Sequence, residues 1–292
     1  MLEWSSLIVP TYIDTANYRT AWPWSRVIPA FCAALILSAT GCCPTGKQME
    51  PPEPAGLPIP SEVRDPQYRI IGWSVEDRPI ECRILGDGPD VTLFIGTIHG
   101  NEPSGTPLIR RLADYLAERL DLLDGRQVIL IPALNPDGMV RHSRFNARNV
   151  ELNRNFPVGN WKPDRHSGQH PLSEPESQIL HDLLHIHQPC RVITIHETLA
   201  CIDYDGPGEA LARAMAACSD LPVRRLGGLP GSLGSYVGMI LHRPIITIEL
   251  RRFAHRLPEA ELWNRYRDML LAAITFEDNR TATAGDVFWM RW

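Results

Sequence analysis

Short apolar runs over residues 68–73, 80–85 and 91–96 read as strands. Gly86-Asp87-Gly88 turns the chain between the last two, with Pro89 just after it. Across residues 104–122 the apolar positions change period: Leu108, Leu112, Tyr115, Leu116 and Leu120 recur at helical spacing. Residues 128–132 read as a short buried strand, and residues 134–171 carry little periodicity. A loop of that length in a compact domain is usually functional or disordered. Ser173-Glu174-Pro175-Glu176 opens the next helix, with Ser173 as cap and Glu176 completing a capping box. Ile179, Leu180, Leu183, Leu184 and Ile186 form its apolar face. A strand over 191–196, a helix over 208–218, a short strand over 222–226 and a short helix over 234–241 come next. A strand over 245–250 and a closing helix over 258–276 complete the pattern. Strands alternate with helices, which predicts an α/β domain with a mixed, largely parallel twisted sheet flanked by helices. In such sheets the ligand crevice lies outside the carboxyl ends of the strands. His99, His196 and Glu249 all fall at or just past predicted strand ends.

Composition narrows the class. The chain has 292 residues, a formal net charge of −5 and 44% hydrophobic residues, which suits one main globular domain with appendages. There is no basic excess to attract nucleic acid. Residues 1–43 stand apart: VIPAFCAALILSATG over 27–41 follows Arg26 and precedes Cys42-Cys43, as in a signal-peptide apolar region. Ala39-Thr40-Gly41-Cys42 resembles a bacterial lipoprotein signal, in which the Cys carries the lipid. Ala39 stands where Leu is usual, and the segment before the apolar run is long. Residues 44–64 read as a Pro-rich linker. The expectation is an exported chain, periplasmic or tethered through an N-terminal lipid, and a cytoplasmic one if the true start lies further on. A catalytic domain is expected over 65–278, with a tail over 279–292 that ends in Phe288, Trp289 and Trp292. Cys82, Cys190, Cys201 and Cys218 form no dense framework; one or two bridges are compatible with an oxidising compartment, and four small buried residues are the alternative.

Three stretches carry chemistry. Thr97-Ile98-His99-Gly100-Asn101-Glu102 ends one apolar run, and Val192-Ile193-Thr194-Ile195-His196 ends another. His99, Glu102 and His196 can build a His₂Glu zinc site with an open fourth position, a hydrolytic arrangement. Gly100 lets the chain turn, and Glu102 returns to the same side one turn later, on a starting helix. In Ile245-Ile246-Thr247-Ile248-Glu249-Leu250 one carboxylate interrupts an apolar strand, which is costly unless it has a partner or a task. Near an activated water Glu249 suits a general base; an ion pair with Arg251 or Arg252, or simple exposure at the strand end, is the competing reading. In Glu151-Leu152-Asn153-Arg154-Asn155-Phe156, Arg154 can grip a carboxylate bidentately and Asn153 can add a hydrogen bond. Arg144 is a second cation, able to polarise a carbonyl oxygen. His181-Asp182-Leu183-Leu184-His185 mimics a helical zinc motif, but Asp is too short for the Glu it replaces, and an amphipathic helix explains it better.

His-Gly-Asn-Glu, Asn135-Pro136-Asp137-Gly138, Glu151-Leu152-Asn153-Arg154-Asn155-Phe156-Pro157, a strand-end His and Thr247-Ile248-Glu249-Leu250-Arg251, in this order, resemble the zinc carboxypeptidase family. Asn160-Trp161-Lys162, Ser173 to Glu176, His196 to Ile202 and Pro230 to Tyr236 are similar to its murein peptide amidase branch. The likeness covers roughly residues 65–276. It implies one zinc ion held by His99, Glu102 and His196, with Glu249 as general base and acid. It implies Arg144 as oxyanion partner and Asn153 with Arg154 as holders of a terminal carboxylate. Glu151 stands where an Asp of the family orients the first zinc His. The substrate implied is a small peptide with a free C-terminal carboxylate, a murein peptide cut between D-γ-glutamate and diaminopimelate. Two other readings remain: a deacylase of the succinylglutamate desuccinylase or aspartoacylase type, and a non-catalytic cell-wall-binding lipoprotein.

Overall fold

A computed structural model of the chain describes residues 67–277. The leader over 1–43, the linker over 44–64 and the tail over 279–292 lie outside the described residues.

Six strands form one mixed sheet in the order β1-β2-β4-β3-β5-β6. They are β1 (Arg69–Trp73), β2 (Pro79–Gly86), β3 (Asp90–Ile95), β4 (Arg126–Ile131), β5 (Arg191–Asp205) and β6 (Ile245–Arg251). β1 and β2 run antiparallel to their neighbours, while β4, β3, β5 and β6 pair in parallel. The helices are α1 (Gly105–Glu118), α2 (Pro136–Val140), α3 (Pro175–His187), α4 (Glu209–Ala216), α5 (Leu233–Ser235) and α6 (Glu259–Ile274). Alternate side chains of each central strand go to opposite layers. Phe94, Val128, Leu130, Ile193 and Ile195 pack with Leu108, Leu112 and Leu116 of α1 and with Met215, Tyr266 and Leu270. Leu93, Ile95, Ile129, Ile131 and Val192 pack the other way, with Leu180 and Leu184 of α3, Phe156 and Tyr236. Burial on both faces is what forces near-continuous apolar strands.

Several predicted boundaries move, each for a tertiary reason. The first helix stops at Glu118: Arg119 leaves helical geometry (φ −124°, ψ 65°) and a 3₁₀ turn over Leu120–Leu123 succeeds it. Arg119 there forms an ion pair with Asp121. The capping box before α3 does not form, and the cap position is Glu174. Ser173 Oγ donates to Glu174 instead, and the Glu176 carboxylate accepts from Val75 N–H and Asn146 Nδ2. Ile186 of the predicted apolar face is 75% exposed. Residues 222–226 contribute one bridge, Ile202 to Val223, rather than a strand. The aperiodic stretch contains α2 and a 3₁₀ turn, Leu152–Arg154. All four cysteines among the described residues are free; Cys82 and Cys201 are buried and Cys218 is exposed.

The largest departure is β5, which does not end at His196. Val192 to Thr198 pair in ascending register with Ile245 to Arg251. Cys201 to Asp205 then pair in descending register with Glu249 back to Ile245. The chain therefore turns round the end of β6, with Ala200 in the left-handed region (φ 54°), and returns along its other edge. The polar His-Glu-Thr run reads as a strand end, yet the free edge of β6 recruits residues 201–205 beyond it.

Candidate metal centre and active-site cavity

His99 lies in the connection between β3 and α1, entered through Thr97. That β-branched residue is held at φ 44°, a strained conformation fixed by its surroundings. Thr97 Oγ1 lies 2.8 Å from Thr106 Oγ1, and its carbonyl accepts from Asn135 N–H. Glu102 does not sit on the helix. A turn closed by Glu102 N–H donating to the His99 carbonyl (3.0 Å) brings it back, and α1 begins three residues later at Gly105. Asn135 secures this loop from outside: Nδ2 donates to the Ile98 carbonyl (3.1 Å), while Oδ1 caps α2 by accepting from Gly138 N–H (2.9 Å). The Asn-Pro-Asp-Gly segment is therefore a brace for the His99 loop.

His99, Glu102 and His196 are all buried and converge. Glu102 Oε2 lies 3.0 Å from His99 Nδ1 and 2.9 Å from His196 Nδ1, and the two nitrogens are 3.0 Å apart. A single proton between the nitrogens leaves the remaining lone pairs facing one another; a divalent cation satisfies all three donors. Tetrahedral zinc with bonds of about 2.0–2.2 Å spaces neighbouring donors about 3.3–3.6 Å apart, a few tenths of an ångström wider than the separations seen. Nitrogen and carboxylate donors match zinc chemistry, so the residues fit the ion. Burial opposes charge on Glu102, but the two imidazoles hold its carboxyl far below the usual range. Glu197 N–H also donates to Glu102 Oε2 (3.2 Å).

Glu151 stands behind His99. Its Oε1 is 3.3 Å from His99 Nε2, which has no better-aligned partner among the described residues. The same oxygen accepts from Arg144 Nη2 (2.7 Å) and lies 3.4 Å from Arg154 Nη2. Burial pushes Glu151 up, yet His99 and the arginines outweigh it and bring its carboxyl down to about 2. Arg144 Nη1 also donates to Glu102 Oε1 (3.1 Å), so this guanidinium bridges a candidate ligand and its neighbour. Asn153 and Arg154 lie in the 3₁₀ turn. Asn153 Oδ1 accepts from Leu233 N–H (2.9 Å), which aims its amide nitrogen elsewhere, and burial lowers the Arg154 pKa.

Glu249 is the registered partner of His196 across β5 and β6. Burial raises its pKa, against the pull of the His196 charge, and its Oε2 accepts from Leu199 N–H at 3.4 Å. It forms no ion pair with Arg251, which binds Asp220 instead. The structure brings all eight sequence-selected residues to one region, and seven of them line a cavity of about 460 Å³; Glu151 lies behind its wall. Sequence reasoning missed Glu197, Asp203, Asp205 and His255, which line the same cavity beside Arg252. The adjacency of Glu197 to His196 was a usable signal for one of them. Among the described residues His181 and His185 gather no third donor; His185 Nε2 pairs with the Tyr236 hydroxyl (2.8 Å).

Residues 66–208 match the zinc carboxypeptidase family, and the fold and the converging donors are similar to those of that family. Among relatives, murein peptide amidase A of Escherichia coli K12 is 33% identical over 162 residues, 49% of this chain. The match spans 64% of that relative's own length. The crystal structure of murein-tripeptide amidase from Escherichia coli O157 superimposes with a TM-score of 0.57 at 27% identity, covering 73% of this chain and 93% of that one. Bovine thrombin-activatable fibrinolysis inhibitor gives 0.61 at 19% identity over 71% and 87%, a likeness of fold alone.

Proposed function

We propose that this chain is a zinc-dependent metallocarboxypeptidase of the amidase type. In this reading it releases diaminopimelate from murein peptides by cutting its bond to D-γ-glutamate. One observation carries the hydrolytic part: three converging donors, the Glu249 carboxylate and the Asn153–Arg154 pair line a single cavity. The murein substrate rests on the likeness to the amidases of Escherichia coli.

His99, Glu102 and His196 hold one zinc ion, which when bound supplies a Lewis acid that acidifies water and polarises a carbonyl. Glu249 takes a proton from the attacking water and delivers it to the leaving nitrogen; its burial keeps the carboxylate basic enough for both. Arg144 offers its guanidinium to the oxyanion, pre-oriented by Glu102 and Glu151. Arg154 and Asn153 hold the free carboxylate of the leaving residue, which restricts cleavage to the last bond. Glu151 orients the His99 ring from behind. The non-catalytic reading expects a lost ligand or base, and none is lost. Cys42 as a lipid attachment site places the enzyme outside the cytoplasmic membrane; palmitate labelling of wild type against Cys42→Ala tests it.

The decisive experiment is mass-spectrometric product analysis. Zinc-supplied full-length protein is incubated with L-Ala-γ-D-Glu-diaminopimelate beside ordinary C-terminal peptides. Release of diaminopimelate alone is expected. Release of ordinary C-terminal residues only overturns the amidase assignment, and no release from any peptide overturns the enzyme reading.

A further inference from the structure

The segment after β6 turns toward the cavity without joining the metal centre. Arg252, Phe253 and His255 all line it. Arg252 has no carboxylate partner among the described residues; its guanidinium lies 4.9 Å over the Phe253 ring, and that of Arg256 lies 4.3 Å from it. Phe253 sits at φ 69° and is 44% exposed. A bulky side chain in the left-handed region is strained, and leaving it in solvent gains no burial in return. What holds the segment is Glu197, whose side chain is 2% exposed. Its Oε2 accepts from His255 Nδ1 (2.9 Å), and its Oε1 accepts from Ser104 Oγ (2.6 Å) and Ser104 N–H (3.3 Å). A buried carboxylate thus ties the cavity-lining His255 to the start of α1. Fold stability does not account for this construction: a strained exposed aromatic, an unpaired guanidinium beside it and a buried anchor.

We propose that Arg252, with His255 beside it, is an anion subsite for a carboxylate on the acyl side of the scissile bond. The inference rests on the hydrolase reading above. There, the carboxylate of the leaving residue goes to Arg154, which reaches the metal centre through Glu151 and His99. The Arg252–His255 segment reaches it by a separate route, through Glu197 and Glu102. In this proposal a carboxylate at Arg252 belongs to the other end of the substrate. A γ-linked glutamyl residue retains its α-carboxylate one side of the bond that is cut; an α-linked peptide has a neutral amide there. The subsite would thus select γ-linked acyl residues by charge, through a charge-assisted guanidinium–carboxylate contact.

The test compares two peptides, L-Ala-γ-D-Glu-diaminopimelate and the same peptide with the glutamyl α-carboxylate converted to an amide. For the zinc-supplied full-length protein, kcat/KM for the acid should exceed that for the amide by about tenfold or more. Arg252→Ala should bring the ratio to within about twofold of unity, and His255→Ala should lower it. Arg256→Ala, which alters the same ring stack outside the cavity, should keep the wild-type ratio. A merely structural role would reduce both rates together and leave the ratio intact. If wild type cleaves both peptides equally, or Arg252→Ala keeps the preference, the subsite is wrong while the hydrolase reading stands. If wild type cleaves neither, the hydrolase reading itself fails and the subsite falls with it.

Discussion

His196 and Glu249 face one another in register across β5 and β6. Registered neighbours project from the same side of a sheet, so the ladder itself sets the candidate base beside the candidate ligand. Backbone hydrogen bonds on both strands hold this relationship, independent of any flexible side chain. Glu249→Gln should retain the zinc content of wild type and lower kcat by about 10²–10⁴-fold, the range for loss of a general base. Metal analysis beside steady-state kinetics checks it, and an unchanged kcat would remove Glu249 from the proton-transfer role.

The three donors predict a stabilising metal. Adding zinc to chelated protein at about a thousand times its dissociation constant should stabilise the fold by about 4 kcal/mol. His196→Ala should abolish most of this shift. Denaturant titration with and without zinc reads the effect, and an equal response of wild type and variant would sink the site.

Arg154 is half-buried in the cavity wall, where removing a cation that binds a carboxylate loses a charge-assisted contact. Arg154→Ala should lower kcat/KM by about 10–100-fold for peptides with a free C-terminal carboxylate, and far less for C-terminal amides. Competition assays with paired acid and amide peptides separate the two.

Gly100 and Gly138 meet backbone to backbone. A Cβ on Gly100 would come within 1.9 Å of the Gly138 carbonyl carbon and 2.2 Å of Met139 N. Neither neighbour is a flexible side chain, so Gly100→Ala should destabilise the protein by about 2–4 kcal/mol and weaken zinc binding. A thermal midpoint and zinc affinity equal to wild type would show that the loop can shift.

Glu151 links pH to stability. Its carboxyl is brought down to about 2 from an ordinary 4.5, by His99, Arg144 and Arg154 working against burial. A depressed carboxylate contributes stability that is present above the unfolded value and lost as pH falls through the folded one. In metal-free protein, Glu151→Gln should cost on the order of 2 kcal/mol at pH 7, and the difference should shrink steadily below about pH 4.5. Urea unfolding of both proteins across that range measures it; a constant difference would mean the loss is one of shape, not of charge.

Much of this was legible along the chain. The central strands show as apolar runs because both their faces are buried, and α1 shows through the spacing of Leu108, Leu112 and Leu116. His99, Glu102, His196 and Glu249 stand out as polar residues closing or interrupting such runs. What local pattern could not show was where a polar residue goes once neighbours compete for it. Ser173 and Glu176 have the sequence of a capping box, yet Asn155, Asn146 and Val75 draw them away. Ile186 fits a helical stripe, yet it stays 75% exposed among the described residues.

The sequence by itself determined the alternation of strands and helices, the layered α/β class and the identity of the donors, because these depend on residue type and short-range period. Tertiary structure alone decided the return of β5 around β6, the turn that carries Glu102 and the brace that Asn135 sets on the His99 loop. It also decided that Glu197 anchors His255 across 58 residues of chain. Each of these joins groups far apart in sequence, through sheet edges, backbone contacts and buried hydrogen bonds that exist only once the layers have closed.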